Sequence, residues 1–142
     1  MQFVTPEAIS AVMALSPASH SLAELEARVR AGLPKSALRA GVEHAVLSEQ
    51  ARHKLLTRII LETTYKRRHD RLTPGESEKV ERLARIGATA IGVWDNADDA
   101  RTFLATEHPL LEGRAPLDVA LTELGARRVE KLLWQLFYGL PT

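Results

Sequence analysis

The chain reads as an all-α protein, with an N-terminal helical segment and a helix-turn-helix unit followed by a small helical domain at the C-terminus. Three observations lead there. Apolar residues recur three or four positions apart in most segments, the spacing of one helix face. Helix-start signals return along the chain, at Thr5-Pro6, Ser21-Leu22-Ala23-Glu24 and Thr73-Pro74-Gly75-Glu76. No segment alternates apolar and polar residues between hairpin turn signals, so no strand is expected. The punctuation divides the chain into residues 1–32, 33–73, 74–94 and 95–142.

Thr5 can cap a first helix with Pro6 in its first turn, where a missing N–H costs nothing. Ser21 and Glu24 form a capping-box pattern whose helix runs to Gly32, a residue able to take the left-handed C-terminal turn. Between Leu33 and Leu72, Ala37, Leu38, Val42 and Ala45 give one apolar face. Ser48 can cap a second helix carrying Ala51, Leu55 and Leu56, and after Thr57-Arg58-Ile59 comes Ile60-Leu61-Glu62-Thr63-Thr64-Tyr65-Lys66-Arg67-Arg68-His69. This last stretch has the character of a recognition helix, its start anchored in the core by Ile60 and Leu61. Thr63, Thr64, Lys66, Arg67 and Arg68 would offer hydroxyls and cations to base edges and phosphates, with Arg58 beside them.

Thr73-Pro74-Gly75-Glu76 repeats the capping-box logic. Behind it Val80, Leu83, Gly87, Ala90, Ile91 and Trp94 mark one helix face. Asn96 can cap the next helix, with Asp98 and Asp99 in its first turn where the macrodipole favours negative charge. The final helix places Val129, Leu132, Leu133, Leu136 and Phe137 on one side and stops at Gly139 before Pro141. Trp94 and Phe103 are expected in the core. Trp134 sits off the apolar face beside Lys131, Gln135 and Tyr138, the position of an interface anchor.

Composition bounds the function classes. With 142 residues, 45% hydrophobic and 26% charged, the chain belongs among soluble globular proteins. Cysteine is absent, which excludes disulfides and thiol chemistry and suits a reducing cytosol. Met1-Gln2-Phe3-Val4-Thr5-Pro6-Glu7 has no basic region of a signal peptide, and no apolar run spans a bilayer, so a cytoplasmic protein without membrane contact is expected. Nothing in the chain calls for a cofactor or a metal. The histidines at 20, 44, 53, 69 and 108 show no i,i+4 ligand pair, and there is no Gly-rich phosphate loop and no Gly-x-Ser-x-Gly elbow. Catalysis is not expected.

Net charge is only +1, yet its distribution is uneven. From Lys35 to Arg71, nine Lys or Arg stand against four acids; from Asp95 onward, five stand against eight. The middle of the chain suits a polyanion and the C-terminal part does not.

The C-terminal run Ala105-Thr106-Glu107-His108-Pro109-Leu110-Leu111-Glu112-Gly113-Arg114-Ala115-Pro116-Leu117-Asp118, then Gly125-Ala126-Arg127-Arg128-Val129, closing on Tyr138-Gly139, resembles the toxin-binding domain of the Xre/MbcA/ParS antitoxin family. That pattern has a helix ending in Trp-Leu, then Pro-x-Leu-x-Gly-x-x-Pro-Leu-Asp/Glu, Gly-Ala-x-x-Val, and a Leu-rich helix stopped by Tyr-Gly. Here Phe103 replaces the Trp and Leu111 precedes Glu112-Gly113, and the likeness covers roughly Asn96 to Gly139. Thr64-Tyr65-Lys66-Arg67 and Arg71-Leu72-Thr73-Pro74-Gly75-Glu76-Ser77 are similar to the Xre-type helix-turn-helix that precedes this domain. The family turn usually holds a glycine; Thr57-Arg58 stand in its place.

The resemblance implies an antitoxin that binds a toxin, often a RES-domain enzyme consuming NAD, and blocks its active-site cleft. It also implies a homodimer that represses its own operon by binding operator DNA. The residues implied at the toxin are Trp134, Gln135, Tyr138, Gly139, Leu140, Pro141 and Thr142, a slim tail partly stiffened by proline. Arg114 is counted with them, and is also expected to bond carbonyls or acids that shape the loop before Pro116. A helix-turn-helix transcriptional regulator with a C-terminal dimerisation domain and no toxin partner fits the same residues, as does an adaptor whose helix-turn-helix has lost DNA binding.

Overall fold

The computed structural model describes residues 4–139. Its helices are α1 (Pro6–Val12), α2 (Leu22–Ala31), α3 (Lys35–Ala45), α4 (Glu49–Ile59), α5 (Glu62–Arg67), α6 (Pro74–Trp94), α7 (Ala97–Ala105), α8 (Pro116–Val119) and α9 (Glu123–Phe137), with a 3-10 turn at Pro109–Leu111. Among the described residues there is no strand, only isolated bridges at Pro34–Arg71 and His108–Arg114. The fold is all-α. No helix among these residues is long and apolar enough to cross a membrane.

Side-chain caps place the helix starts. Thr5, Ser21, Ser48, Thr73, Asn96 and Thr122 each accept a backbone N–H in the first turn that follows, satisfying donors that have no partner within the helix. At Thr73 both halves of the capping box are present, with Glu76 Oε1 accepting the Thr73 N–H at 2.9 Å. At Ser21 they are not. The Glu24 carboxylate instead accepts the N–H of His20, one residue ahead of the cap, at 2.7 Å. Gly32 ends α2 at φ 96°, and a Cβ there would lie 2.4 Å from the Leu72 carbonyl oxygen. Glycine is required by both the backbone angle and the contact.

That contact closes the helix-turn-helix unit. Leu72 N–H donates to Leu33 O at 2.8 Å and Lys35 N–H to Asp70 O at 3.0 Å. Ser77 Oγ, fully buried on α6, accepts the Leu33 N–H at 2.8 Å. The two ends of residues 33–72 are thus fastened to each other and to α6.

The organising element is α6, 21 residues long, against which α1, α2, α3, α4, α7 and α9 all pack. The apolar spacing suggests a single buried face, but Ala84, Ile86, Ala88 and Thr89 are buried as well. Its charged residues end at Arg85, and from Ile86 to Ala90 every residue is buried, small residues letting neighbours approach from several sides. Its end departs from expectation: Trp94 is 41% exposed, while Phe103 is buried against it with ring centroids 5.9 Å apart. Two further apolar residues expected inside lie outside, Leu61 at 69% and Phe137 at 46% exposure. Both sit at helix ends, where periodicity loses its hold.

Polar bridges join α6 to α9. Arg85 donates to Glu81 at 2.6 Å and to Glu130 at 3.2 Å. Burial pushes the Glu81 carboxyl above its ordinary range, with Arg85 opposing the shift.

Candidate functional site

The recognition segment is shorter than its sequence suggests. α4 continues through Thr57, Arg58 and Ile59, so the turn falls at Ile60–Leu61 and α5 begins at Glu62. Both turn residues have negative φ, −142° at Ile60 and −59° at Leu61. A turn built from extended angles has no need of glycine, which accounts for its absence here. Ile60 is buried and anchors the turn.

On α5, Tyr65 faces the body of the unit and Glu62, Thr63, Lys66 and Arg67 face outward. Lys35 at the start of α3 fixes the arrangement: its Nζ lies 4.4 Å from the Tyr65 ring centroid and donates to Arg68 O at 3.0 Å. The candidate cations divide. Arg68 makes two hydrogen bonds to Glu76, at 3.0 and 2.8 Å, bracing the same carboxylate that closes the Thr73 cap. Arg58 turns to Asp118 of α8 at 2.6 Å. Lys66 reaches Glu62 at 3.2 Å on the surface, and Arg67 contacts Thr64 Oγ1 at 3.4 Å. Both of the latter pairings are too exposed or too long to hold a side chain firmly.

In the C-terminal part of the chain, α8 and α9 pack through Gly125, where a Cβ would lie within 1.8 Å of the Val119 carbonyl oxygen. The loop ahead of α8 is tied to α9. Glu112, at φ 56°, accepts from Arg114 at 2.8 Å and from Arg128 at 2.9 and 2.6 Å, while Arg128 also donates to Leu110 O at 3.1 Å. Arg128 first and Arg114 second hold the Glu112 carboxyl down at about 2. Arg114 also donates to Leu111 O at 3.2 Å, so its guanidinium shapes the loop.

The end of α9 carries an aromatic cluster. The Trp134 and Tyr138 ring centroids are 4.9 Å apart, and those of Phe137 and Tyr138 5.0 Å, edge to face. Trp134 is half-buried with its indole N–H enclosed, and among the described residues that group has no hydrogen-bond partner. Leaving such a donor unsatisfied costs about 1–3 kcal/mol. Beside the indole, Arg127, Glu130 and Lys131 line a groove of about 380 Å³. Gln135 is half-buried on the same helix and Gly139 follows at φ 66°. Leu140, Pro141 and Thr142 lie outside the described residues.

The architecture is that of a helix-turn-helix unit and a small partner-binding domain joined through one shared helix. An antitoxin Xre-like helix-turn-helix domain matches residues 24–85, and the antitoxin Xre/MbcA/ParS C-terminal toxin-binding domain matches residues 89–139. The chain is also 28% identical over 116 residues to Antitoxin Xre of Pseudomonas putida strain KT2440, covering 82% of this chain and 72% of that protein. It belongs to the Xre/MbcA/ParS antitoxin family. The two matched segments meet within α6, between residues 85 and 89, so the helix that centres the core serves both.

Proposed function

We propose that this antitoxin neutralises a RES-domain, NAD-consuming toxin by placing the end of α9 and the tail after it into the toxin's active-site cleft. The observation that carries this reading is the aromatic cluster of Trp134, Phe137 and Tyr138 at the point where α9 ends, within the segment that matches a toxin-binding domain. Large aromatics with a buried donor still unpaired suit a hot spot that is completed by a partner. Gln135 and Gly139 belong to the same end of α9, Leu140, Pro141 and Thr142 are counted with them as toxin contacts in this reading, and Arg114 supports the site by holding the loop to Glu112. Inhibition is by occlusion and needs no chemistry from this chain.

The helix-turn-helix unit represses the operon from which antitoxin and toxin are expressed. Thr63, Thr64, Lys66 and Arg67 meet the DNA, with Arg58 beside them, while Arg68, engaged by Glu76, holds the unit in shape. A homodimer reading two half-sites needs them about 34 Å, one DNA turn, or a multiple apart. Co-expression with the product of the adjacent reading frame tests the reading. Growth rescue, co-purification and preserved NAD levels are expected, and a full-length chain that never co-purifies with that product leaves the plain regulator standing instead.

A further inference from the structure

The cations near the start of α5 do not all belong to the recognition segment. Arg58 closes α4, and Lys79 and Arg82 stand about one turn apart on α6. All three line one small cleft of about 70 Å³, whose apolar lining is Ile59, Leu83, Ala120 and Leu121. Arg58, Ile59 and Lys79 also line a neighbouring groove of about 320 Å³, which takes in Thr64 of α5.

Nearby carboxylates offset the cluster only in part, Arg82 acting on the charge of Glu81. Asp118 takes one hydrogen bond from Arg58. Glu76 lines the larger groove, but its oxygens accept from Arg68 and from the Thr73 N–H. Glu78 and Glu81, the acids next to Lys79 and Arg82 in sequence, line a different groove, facing α2. Lys79 and Arg82 are therefore left in excess, and convergent cations repel unless an anion enters.

The size of the cleft selects the anion. It is well below the ~300 Å³ of an ordinary small-molecule site, yet an oxyanion set at its mouth would be within reach of all three side chains. Its continuation toward Thr64 suits a phosphodiester that runs on along α5 better than an isolated phosphate. Arg58 can serve without leaving Asp118, since a guanidinium carries five N–H donors and only its Nη1 is used there.

We propose that Arg58, Lys79 and Arg82 form a seat for one backbone phosphate of the DNA strand that α5 reads. The proposal rests on the DNA-binding reading above and adds contacts from α6 to those of α4 and α5. Such contacts fix register on the duplex and carry no sequence information.

The test measures binding of the full-length chain to its own promoter fragment and to a scrambled duplex over a range of salt. Lys79→Gln/Arg82→Gln should flatten the slope of log K against log salt by about 0.9, the contribution of the one phosphate contact the seat makes. Both duplexes should weaken alike, so the preference for the promoter is kept. Lys79→Arg/Arg82→Lys should restore the slope, and Lys79→Gln alone, at an exposed position, should flatten it by only part of that amount. An unchanged slope in Lys79→Gln/Arg82→Gln, with wild type binding normally and the variant folded by circular dichroism, overturns the seat. A wild-type chain that binds neither duplex removes the DNA-binding reading and the seat together.

Discussion

Arg58 and Asp118 lie 2.6 Å apart, joining the last turn of α4 to α8 and so linking the segment that matches a helix-turn-helix domain to the one that matches a toxin-binding domain. Both side chains are about half exposed, 49% and 52%, so the pair adds little to stability, within about 1 kcal/mol. Its effect should instead be on DNA. Asp118→Asn removes the charge that competes for Arg58 and is expected to raise promoter affinity and steepen its salt dependence at nearly unchanged melting temperature. Equal affinities and salt slopes for the two proteins would mean that Asp118 does not hold Arg58 back from the DNA.

Arg67 and Arg68 are neighbours with opposite expected phenotypes. Arg67→Ala should weaken promoter binding, by about 1–3 kcal/mol if it meets a base edge, and leave thermal unfolding unchanged. Arg68→Ala should lower the melting temperature, because Glu76 then closes the Thr73 capping box without its brace. Circular dichroism melts beside anisotropy titrations separate the two. Equal melting of both variants would contradict the division.

Helix starts were largely legible in the sequence, because a cap is a local event: Thr5, Ser48, Thr73 and Asn96 act within three residues of themselves. Trp94, Phe137 and Leu61 misled because their burial depends on which neighbour lies beyond a helix end, and periodicity does not carry that information. The site was legible as residue types and not as pairings. Nothing in the string Lys66-Arg67-Arg68 says that Glu76 engages the third cation, and nothing near Arg58 announces Asp118, 60 positions later. Lys79 and Arg82 escaped notice because they belong to a helix that reads as a connector.

Gly125→Ala tests the packing of the C-terminal domain. The added methyl would collide with the Val119 carbonyl, a backbone atom that moves only with α8. Overpacking of this kind costs about 1–3 kcal/mol, so the melting temperature should fall by several degrees. Unchanged stability would show that α8 yields freely.

Acid should loosen the loop before α8. The Glu112 carboxyl is lowered to about 2 from 4.5 by Arg128 and Arg114. A group whose folded value is depressed contributes stability that is complete above its unfolded value and lost as pH falls toward the folded one. Loop order should therefore decline between pH 4.5 and about 2, and sooner in high salt because the pair is exposed. Amide chemical shifts of Leu110 to Arg114 report it; in Glu112→Gln they should lose this titration.

The aromatic end of α9 is the position at which antitoxin and plain regulator part. If Trp134 and Tyr138 form the core of the toxin contact, Tyr138→Ala removes a ring tilted against the indole at 4.9 Å and opens that side of the cluster to water. Loss of a hot-spot aromatic should weaken toxin binding by about 2 kcal/mol or more, roughly 30-fold. Deleting residues 139–142 should act the same way, releasing toxicity and lowering NAD in co-expressing cells, while promoter binding stays at the wild-type level. Helix content should not change, since Val129, Leu132 and Leu133, which hold α9 in place, are untouched. A truncated chain that still protects cells would move the inhibitory surface off the tail and onto the loop from Pro109 to Leu117, where Arg114 and Arg128 already hold Glu112 in a fixed geometry.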